Sequence, residues 1–412
     1  MNLNKLAWRN LWRRKRRTFI TASSIAFGVL LAVTFTGAGD YYYTHMIDAG
    51  ASMGMGHITI TPVDYNRAPS LKKRLADVQK LRARTLKNKQ VADAMIRITG
   101  QAMFASANKS IGGMFMAIDP KQETPQNNLF IRAIVEGKLF GGADTPGIVV
   151  GEQMAKKLRL RIGKKVVYTT SDANGEIVSA MERVTGIFKT GIKEVDSGMV
   201  LLPITRVQKM LNYRKDEATL VALMLKDQRK TSVIRDTLSQ SALYHKTEIL
   251  SWQQSQPELS GMITMDKSIN YTSQLLIGLL VAAGVLNTVL MSVLERKREF
   301  GVMMAVGMSP GNLFWLVMIE SFWLALVGLA IGIIVSIPWY IYMHETGLDL
   351  SSAYGDNMDF GGVLIDPVMK IRLFSESIIA ILLGLFTLAL GASAYPAWRA
   401  GRIPPVESLK TD

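Results

Sequence analysis

Four long apolar stretches constrain the fold of this chain more than any other feature. They are almost free of charged residues, and they run over Thr18–Gly39, Ser273–Val293, Leu313–Tyr340 and Ser377–Trp398. A helix of about 20 apolar residues crosses the ~30 Å hydrocarbon core of a bilayer. The hydrophobic fraction of the whole chain, 49%, is close to that of soluble proteins. The distribution of apolar residues, rather than their amount, therefore predicts four transmembrane helices.

The first stretch has an alternative interpretation as a secretory signal, because basic residues precede it and the small residues Gly37, Ala38 and Gly39 end it. Its apolar region is longer than the 7–15 residues that are usual in a signal peptide. A membrane anchor is therefore the favoured interpretation, and cleavage is the alternative.

Basic residues near the ends of these stretches predict the orientation, because cytoplasmic loops are enriched in Lys and Arg. They are Lys5, Arg9, Arg13, Arg14, Lys15, Arg16 and Arg17 before the first stretch, Arg296, Lys297 and Arg298 before the third, and Arg399 and Arg402 after the fourth. In the link over residues 341–376, by contrast, most of the charged residues are acidic. Both termini are predicted to be cytoplasmic.

A formal net charge of +15 could also indicate a nucleic-acid partner. A basic cluster directly before a membrane span is better explained by contact with lipid headgroups than by a nucleic acid.

These arguments divide the chain into nine segments. They are a cytoplasmic basic amphipathic segment (1–17), the first span (18–39), an extracytoplasmic domain (40–272), the second span (273–293), a cytoplasmic coupling segment (294–312), the third span (313–340), a short outer link (341–376), the fourth span (377–398) and a cytoplasmic tail (399–412). The chain contains no cysteine, which excludes disulfides and thiolate metal sites and does not distinguish between compartments.

The large extracytoplasmic region has the pattern of an α+β domain. His57–Thr61 alternates in the manner of a strand, and Asp172–Gly175 is a hairpin turn with the favoured Asn-Gly pair. Gly147–Gly151 predicts a strand that leads into a helix over Glu152–Leu158. An amphipathic helix is predicted over Leu71–Leu86. Its basic face is either solvated or in contact with anionic headgroups or an acidic partner.

No catalytic, metal or nucleotide site is expected in this chain. The segment Gly186–Lys193 faintly resembles a phosphate-binding loop, but its lysine is one place late and no Ser or Thr follows. The histidines, His45, His57, His245 and His344, are scattered without metal-ligand spacing. We therefore expect a non-catalytic chain that holds no cofactor of its own.

One acid lies within a predicted span. Glu320 is eight residues into the third stretch, about 12 Å along the helix. A carboxylate in a membrane is costly and marks a candidate functional residue. Two interpretations remain open, namely a structural pair with Arg or Lys at the cytoplasmic interface and a role in coupling.

Two motifs resemble the FtsX-like permeases, the family that includes MacB, LolC, LolE and FtsX. Asn287 and the run Glu295–Ser309 are similar to the family pattern N…ER-x-REIG-x-x-x-A-x-G, with Phe300 where Ile is usual. The tail over Ala394–Leu409 is similar to the family ending P-x-x-R-A-x-R-x-x-P-x-E-x-L. Ile118–Pro120 and Ser251–Trp252 resemble the LolC and LolE branch, so the resemblance covers nearly the whole chain.

The resemblance implies the fold: an α-helical membrane protein with four transmembrane helices and a large α+β extracytoplasmic domain, of the Sabre and Porter type, inserted between helices 1 and 2. LolC captures its soluble carrier with a proline-containing hook, whereas the hairpin over Asp172–Ile187 contains no proline. The chain is therefore expected to be LolE-like or to belong to a homodimeric exporter with another substrate.

The resemblance also implies a function, namely that of a permease subunit of an ABC transporter that works by mechanotransmission. Its location would be the bacterial inner membrane, multi-pass, with the large domain periplasmic. Its substrate would be lipoproteins released from the outer leaflet. A MacB-like exporter of peptides, lipids or drugs and an FtsX-like regulator of a cell-wall hydrolase are the alternatives.

The expected partners are a cytoplasmic ATPase dimer that binds ATP and Mg²⁺, a second permease chain in a homo- or heterodimer, membrane lipids, a lipoprotein or other amphipathic substrate, and a periplasmic carrier or adaptor. No nucleic acid is expected. The residues expected to couple the chain to the ATPase are Glu295, Arg298, Glu299, Phe300, Gly301, Met303, Met304 and Gly307.

Overall fold

The computed structural model describes residues 3–13, 15–240, 247–349, 351–354, 358–360, 363–365 and 368–402. Outside the described residues lie Met1, Asn2, Arg14, His245 with the rest of residues 241–246, parts of the link over residues 341–376, and every residue after Arg402. The part of the predicted tail motif beyond Arg402 is therefore outside them as well. The chain divides into two compact units. The helical unit comprises Met1–Tyr42, Met265–Leu350 and Val368–Asp412, and the sheet unit comprises Tyr43–Thr264 and Ser351–Pro367.

Fourteen α-helices occur in the described part of the chain. They are α1 (Leu3–Arg13), α2 (Lys15–Gly50), α3 (Val78–Thr85), α4 (Leu129–Arg132), α5 (Glu152–Leu158), α6 (Lys193–Gly198), α7 (Ile204–Met210), α8 (Thr231–Ser239), α9 (Trp252–Ser255), α10 (Pro257–Glu295), α11 (Lys297–Ala305), α12 (Pro310–Glu345), α13 (Ser351–Tyr354) and α14 (Ser375–Ala400). A π-helical turn over Ala51–Met55 continues α2, and a 3₁₀ turn over Gln228–Lys230 precedes α8.

The strands of the described residues form one large sheet and two small hairpin-like pairs. The large sheet contains β1 (Ile58–Pro62), β2 (Val91–Ala105), β3 (Ser110–Ile118), β4 (Ile134–Gly137), β5 (Ile148–Gly151), β6 (Lys165–Ser171), β7 (Ile177–Phe188), β8 (Met199–Pro203), β9 (Leu220–Leu225) and β10 (Thr247–Ser251). The pairs are β11 (Leu348–Asp349) with β14 (Val368–Met369), and β12 (Met358–Phe360) with β13 (Val363–Ile365).

The helical unit contains helices long and apolar enough to span a membrane. Four such helices occur among the described residues: α2 with its π-helical continuation, α10, α12 and α14. Helix α2 continues to Gly50 and α10 already begins at Pro257, so both extend beyond the predicted apolar stretches. Hydropathy marks the residues that a bilayer would cover, whereas helical hydrogen bonds continue through the polar residues beyond them.

Small residues let the long helices of the helical unit approach closely. A Cβ atom added at Gly28 of α2 would lie 2.5 Å from Val281 of α10. Added Cβ atoms at Gly328 and Gly332 of α12 would lie 2.8 Å from Ile25 and 2.7 Å from Val29, both on α2. Glycines four residues apart on a membrane helix are typical of such close packing. Helix α2 therefore packs against both α10 and α12.

The large sheet of the sheet unit closes partly on itself. Its strand order is β10-β1-β9-β2-β3-β8-β5-β7-β4, and β6 joins β7 back to β2. Strands β2, β3, β8, β5, β7 and β6 therefore form a ring, filled by buried side chains such as Phe104, Phe115, Tyr168 and Val200. The 15-residue strand β2 takes part in the ring and also pairs with β9.

Several local predictions in the sheet unit are confirmed. The hairpin at Asp172–Gly175 joins β6 to β7, and the helix over Glu152–Leu158 is α5. The helix predicted from Leu71 is wrong in its first half, because α3 begins only at Val78. Leu75 instead bridges to Ala218, and the left-handed backbone of Asp77 (φ 53°) interrupts a helix at that point.

A buried ion pair lies inside the sheet unit. Arg97 of β2 and Glu123 are both fully buried, and the guanidinium donates two hydrogen bonds of 2.7 Å to the carboxylate. Arg97 also donates to the carbonyl oxygen of Gly54 at 2.6 Å, and Asn128 donates to Glu123 at 3.1 Å. The pair therefore fixes the π-helical turn that follows α2 to strand β2.

We expect Arg97→Met to lower the free energy of unfolding of the sheet unit by about 3–5 kcal/mol, because Glu123 would stay buried without its counter-charge. Hydrogen exchange of β2 and β9 in the detergent-solubilised full chain measures this loss. Lys156→Met is the matched control, since that lysine is 62% exposed beside Glu152. A loss for Arg97→Met no larger than for the control would contradict the assignment.

Candidate functional site

The candidate coupling site is a short helix between two membrane-spanning helices. Helix α10 ends at Glu295, α11 covers Lys297–Ala305, and α12 starts at Pro310. Gly307, at φ +100°, provides the sharp turn after α11 in a conformation that side chains disfavour. Ser309 caps α12 by accepting a hydrogen bond from the Asn312 amide, and Pro310 suits the first helical turn.

Glu320 lies at the centre of a polar network in the helical unit. The carboxylate accepts hydrogen bonds from Arg296 at 2.8 and 3.1 Å and from the side-chain amide of Asn10 at 2.7 Å. Arg296 also donates to Glu299 at 3.0 Å. Of the two interpretations of Glu320, the geometry supports the structural pair. Because its partner lies at the start of the coupling segment, this pair also positions that segment.

Arg296 is held as a buried cation. Its side chain is only 9% exposed, and its guanidinium lies 4.9 Å from the centre of the Phe300 ring. Burial by itself would lower the pKa of Arg296, but the carboxylates of Glu320 and Glu299 outweigh burial and raise that pKa above its ordinary value. The guanidinium therefore stays charged, and its two carboxylate partners fix its direction.

The N-terminal helix α1 belongs to the same site. Besides the bond from Asn10 to Glu320, Trp323 of α12 donates a hydrogen bond of 2.7 Å to Asn4. The ring of Trp8 packs edge-on against the ring of Trp323, with 4.9 Å between the ring centres. Arg17, at the start of α2, forms a two-pronged pair with Glu295 at 3.0 and 3.3 Å. A cavity of about 210 Å³ has Asn10, Arg17, Arg296 and Glu320 among its lining residues.

The structure separates the predicted coupling residues into inner and outer groups. Phe300 is 1% exposed and Gly301 is buried, so neither lies on the surface that a partner would meet. Met303 and Met304 are half-buried against the core of the helical unit. Arg298 is exposed, Glu295 pairs with Arg17, and Glu299 pairs with Arg296.

Two exposed apolar residues of this site were not among the coupling residues predicted from the sequence. Val302 is 46% exposed, and Val306, one helical turn later, is 85% exposed. Their spacing of four residues, opposite to Phe300, is the signal that could have identified them as the outer face. Asn10 was missed as well, since a polar residue in a basic amphipathic segment gives no sign of its distant partner.

Family models match nearly the whole chain. A model described as the MacB-like periplasmic core domain matches residues 18–241, and one described as the FtsX-like permease C-terminal region matches residues 273–405. The chain is a member of the FtsX-like and MacB-like family of ABC transporter permeases.

Several curated relatives belong to this permease family, and two of the three described here align along nearly their full length. The chain is 24% identical to the lipoprotein-releasing system transmembrane protein LolC of Xylella fastidiosa, over 97% of this chain and 96% of that protein. It is 22% identical to LolE of Haemophilus influenzae over 64% of both chains. It is also 22% identical to the uncharacterized ABC transporter permease MJ1507 of Methanocaldococcus jannaschii, over 98% and 96% of the two chains.

We expect Glu320→Gln to destabilise the helical unit of this permease by about 3 kcal/mol, because Arg296 would lose its closest counter-charge while remaining buried. The amide still accepts a hydrogen bond from Asn10, so the change isolates the charge. Faster hydrogen exchange in α1 and α11 and a lower thermal midpoint are the expected readouts.

Arg298→Gln is the matched control for this measurement, since it removes an exposed charge from the same segment. It should leave exchange and the thermal midpoint nearly unchanged. Equal behaviour of the two variants would mean that Glu320 does not hold the segment.

Proposed function

We propose that this permease releases lipoproteins from the outer leaflet of the bacterial inner membrane, driven by a separate ATPase through mechanotransmission. The observation that carries the proposal is the position of α11. A short helix with an exposed outer face is anchored by a buried ion pair to the spanning helices. The alignment with LolC along nearly the whole chain supports lipoproteins as the substrate class.

The spanning helices supply the mechanical path. Helices α2 and α10 contain 36 and 39 residues. At 1.5 Å per residue they are roughly 54 and 58 Å long, well beyond the ~30 Å of a hydrocarbon core. Continuous backbone hydrogen bonds make each helix stiff along its axis. A displacement imposed at one end is therefore transmitted to the other end.

The far end of α2 is fixed inside the sheet unit by buried groups. The Leu225 amide donates a hydrogen bond of 3.0 Å to Nδ1 of His57, so Nε2 carries the hydrogen and donates to Asp48 at 2.9 Å. Arg97 holds the Gly54 carbonyl, and Gln256, just before α10, donates to the Gly50 carbonyl at 3.3 Å. A movement of α2 is therefore passed to β9 and β2.

The ATPase, in this proposal, binds the outer face of α11 and holds ATP and Mg²⁺ itself. Val302 and Val306 would fill an apolar groove, and Arg298 would face acidic groups. A second permease chain would complete the transporter, with the sheet unit on the periplasmic side and both termini in the cytoplasm.

We expect Val306→Asp combined with Arg298→Glu to weaken binding of the ATPase about 10- to 100-fold, because a combined loss of about 1.4–2.8 kcal/mol from two interface contacts corresponds to that factor. Folding should be unaffected because both side chains are exposed. Copurification of the ATPase with the tagged permease measures the effect.

Val233→Asp is the matched control, because that valine is 66% exposed on α8 of the sheet unit. It should leave copurification intact. Undiminished ATPase recovery with the Val306 and Arg298 double variant would show that α11 is only a link between helices.

The proposed orientation predicts opposite labelling of two introduced cysteines. The chain has no native cysteine, so Asn174→Cys in the β6–β7 hairpin and Ser309→Cys before α12 are each the sole thiol. In intact spheroplasts, an impermeant maleimide should label position 174 alone, and permeabilisation should expose position 309. Labelling of both positions without permeabilisation would contradict the orientation.

A further inference from the structure

One outward face of the ring in the sheet unit is unusually apolar. Residues paired across neighbouring strands point to the same side of a sheet. The register pairs Met103 of β2 with Thr169 of β6, and Val167 of β6 with Met181 of β7. It also pairs Met114 of β3 with Gln101 of β2. These side chains therefore share one face across four adjacent strands.

The apolar side chains on this face are open to solvent. Met103, Met114 and Met181 are 50%, 48% and 49% exposed, and Val167 and Ile177 are 38% and 81% exposed. The opposite face of the same strands carries the buried core of the ring. A sheet with one buried face usually carries polar residues on the other. Met103, Met114 and Ile177 stand opposite Thr169, Gln101 and Ser171, so polar side chains alternate with the apolar ones on this face. A cluster of exposed apolar side chains is typical of a binding surface.

This apolar cluster borders a shallow groove. Gly112 stands opposite Met103 in the register, and a Cβ added there would meet no atom within 4 Å. The missing side chain contributes to a groove of about 680 Å³, with Met103 and Met114 among its lining residues. Methionine side chains adapt to ligands of varied shape because they are unbranched and polarizable.

A basic groove of about 670 Å³ adjoins the apolar cluster at Val167. Its cationic lining residues are Lys109, Arg159, Lys164, Lys165 and Arg183. All of its lining residues are described by the structure, and no acid is among them. Among the described residues, the acid that neighbours Arg183 in the chain, Glu182, pairs with Arg206 and not with any of these five cations, and Arg183 donates a hydrogen bond to the Gly163 carbonyl at 3.1 Å. The groove therefore offers a concentrated positive charge to an anion.

We propose that this face binds an anionic lipid amphiphile, with its acyl chain along the exposed methionines and its phosphate or carboxylate head in the basic groove. The charge and the apolar cluster together require a ligand with both features. The strands of the face already pair with neighbours on both sides, so an added peptide strand has little edge to join. An extended peptide over the methionines would leave its backbone amides without partners, whereas an acyl chain has none to satisfy.

The inference goes beyond the proposed function, and its test needs no ATPase or transport. A Gly112→Cys variant in the otherwise cysteine-free full chain carries an environment-sensitive fluorophore in lipid nanodiscs. Decyl phosphate should shift its emission in a saturable way. Decyl maltoside, which lacks the charge, and inorganic phosphate, which lacks the chain, should each bind at least about tenfold more weakly.

The charge-reversal variant Lys165→Glu/Arg183→Glu should weaken decyl phosphate binding by about tenfold or more, since two attractions become repulsions. Lys80→Glu, which reverses an exposed lysine of α3 in the same unit, should leave binding unchanged. Equal binding of decyl phosphate and decyl maltoside, or equal effects of the two variants, would overturn the proposal.

A photo-crosslinking amino acid placed at Met103 in cells identifies the native occupant. The expected adduct adds the mass of a lipid, and the same group at Val233, an isolated exposed valine of the sheet unit, should give no such adduct. A protein-sized adduct at position 103 would overturn the proposal in favour of a protein partner.

Discussion

The ion pair between Arg296 and Glu320 is the contact on which the end of the helical unit that carries α11 depends. A buried guanidinium must have a counter-charge, and the carboxylate of a membrane-spanning helix must have a donor. Each group meets the other's requirement at 2.8 Å. Since Arg296 directly follows α10 and Glu320 belongs to α12, the pair fixes the start of α11 relative to both helices.

Helix α2 is also constrained near each of its ends by polar contacts, and these are more exposed. Arg17 pairs with Glu295 at its start, and Asp48 receives a hydrogen bond from the buried His57 near its end. The long apolar part between them packs closely at Gly28, and Thr34 and Thr36 accept hydrogen bonds from Trp339 at 2.9 Å and from Gln274 at 3.1 Å. Helix α2 is therefore held along its apolar part as well as near its ends.

Sequence reasoning predicted those features that periodicity and hydropathy encode. The long helices, the β6–β7 hairpin and α5 follow from apolar length, an Asn-Gly turn and local alternation. Pairing between distant residues was not predictable, because nothing in the segment around Asn10 indicates that Glu320, 310 positions later, is its partner. The same limit concealed the ring, since its closure depends on β6 pairing with β2 across more than sixty residues.

The coupling motif shows why a recognised pattern did not assign roles to its residues. Phe300 and Arg296 are both prominent in the sequence, and both face inward, with the guanidinium against the ring. A short helix needs an inner face to hold its position on the helical unit, and the largest side chains of α11 serve that inner face. The outer face then consists of the smaller Val302 and Val306 with Arg298. A partner that fits this face needs a shallow apolar groove rather than a deep pocket, because a valine projects little beyond the helix backbone.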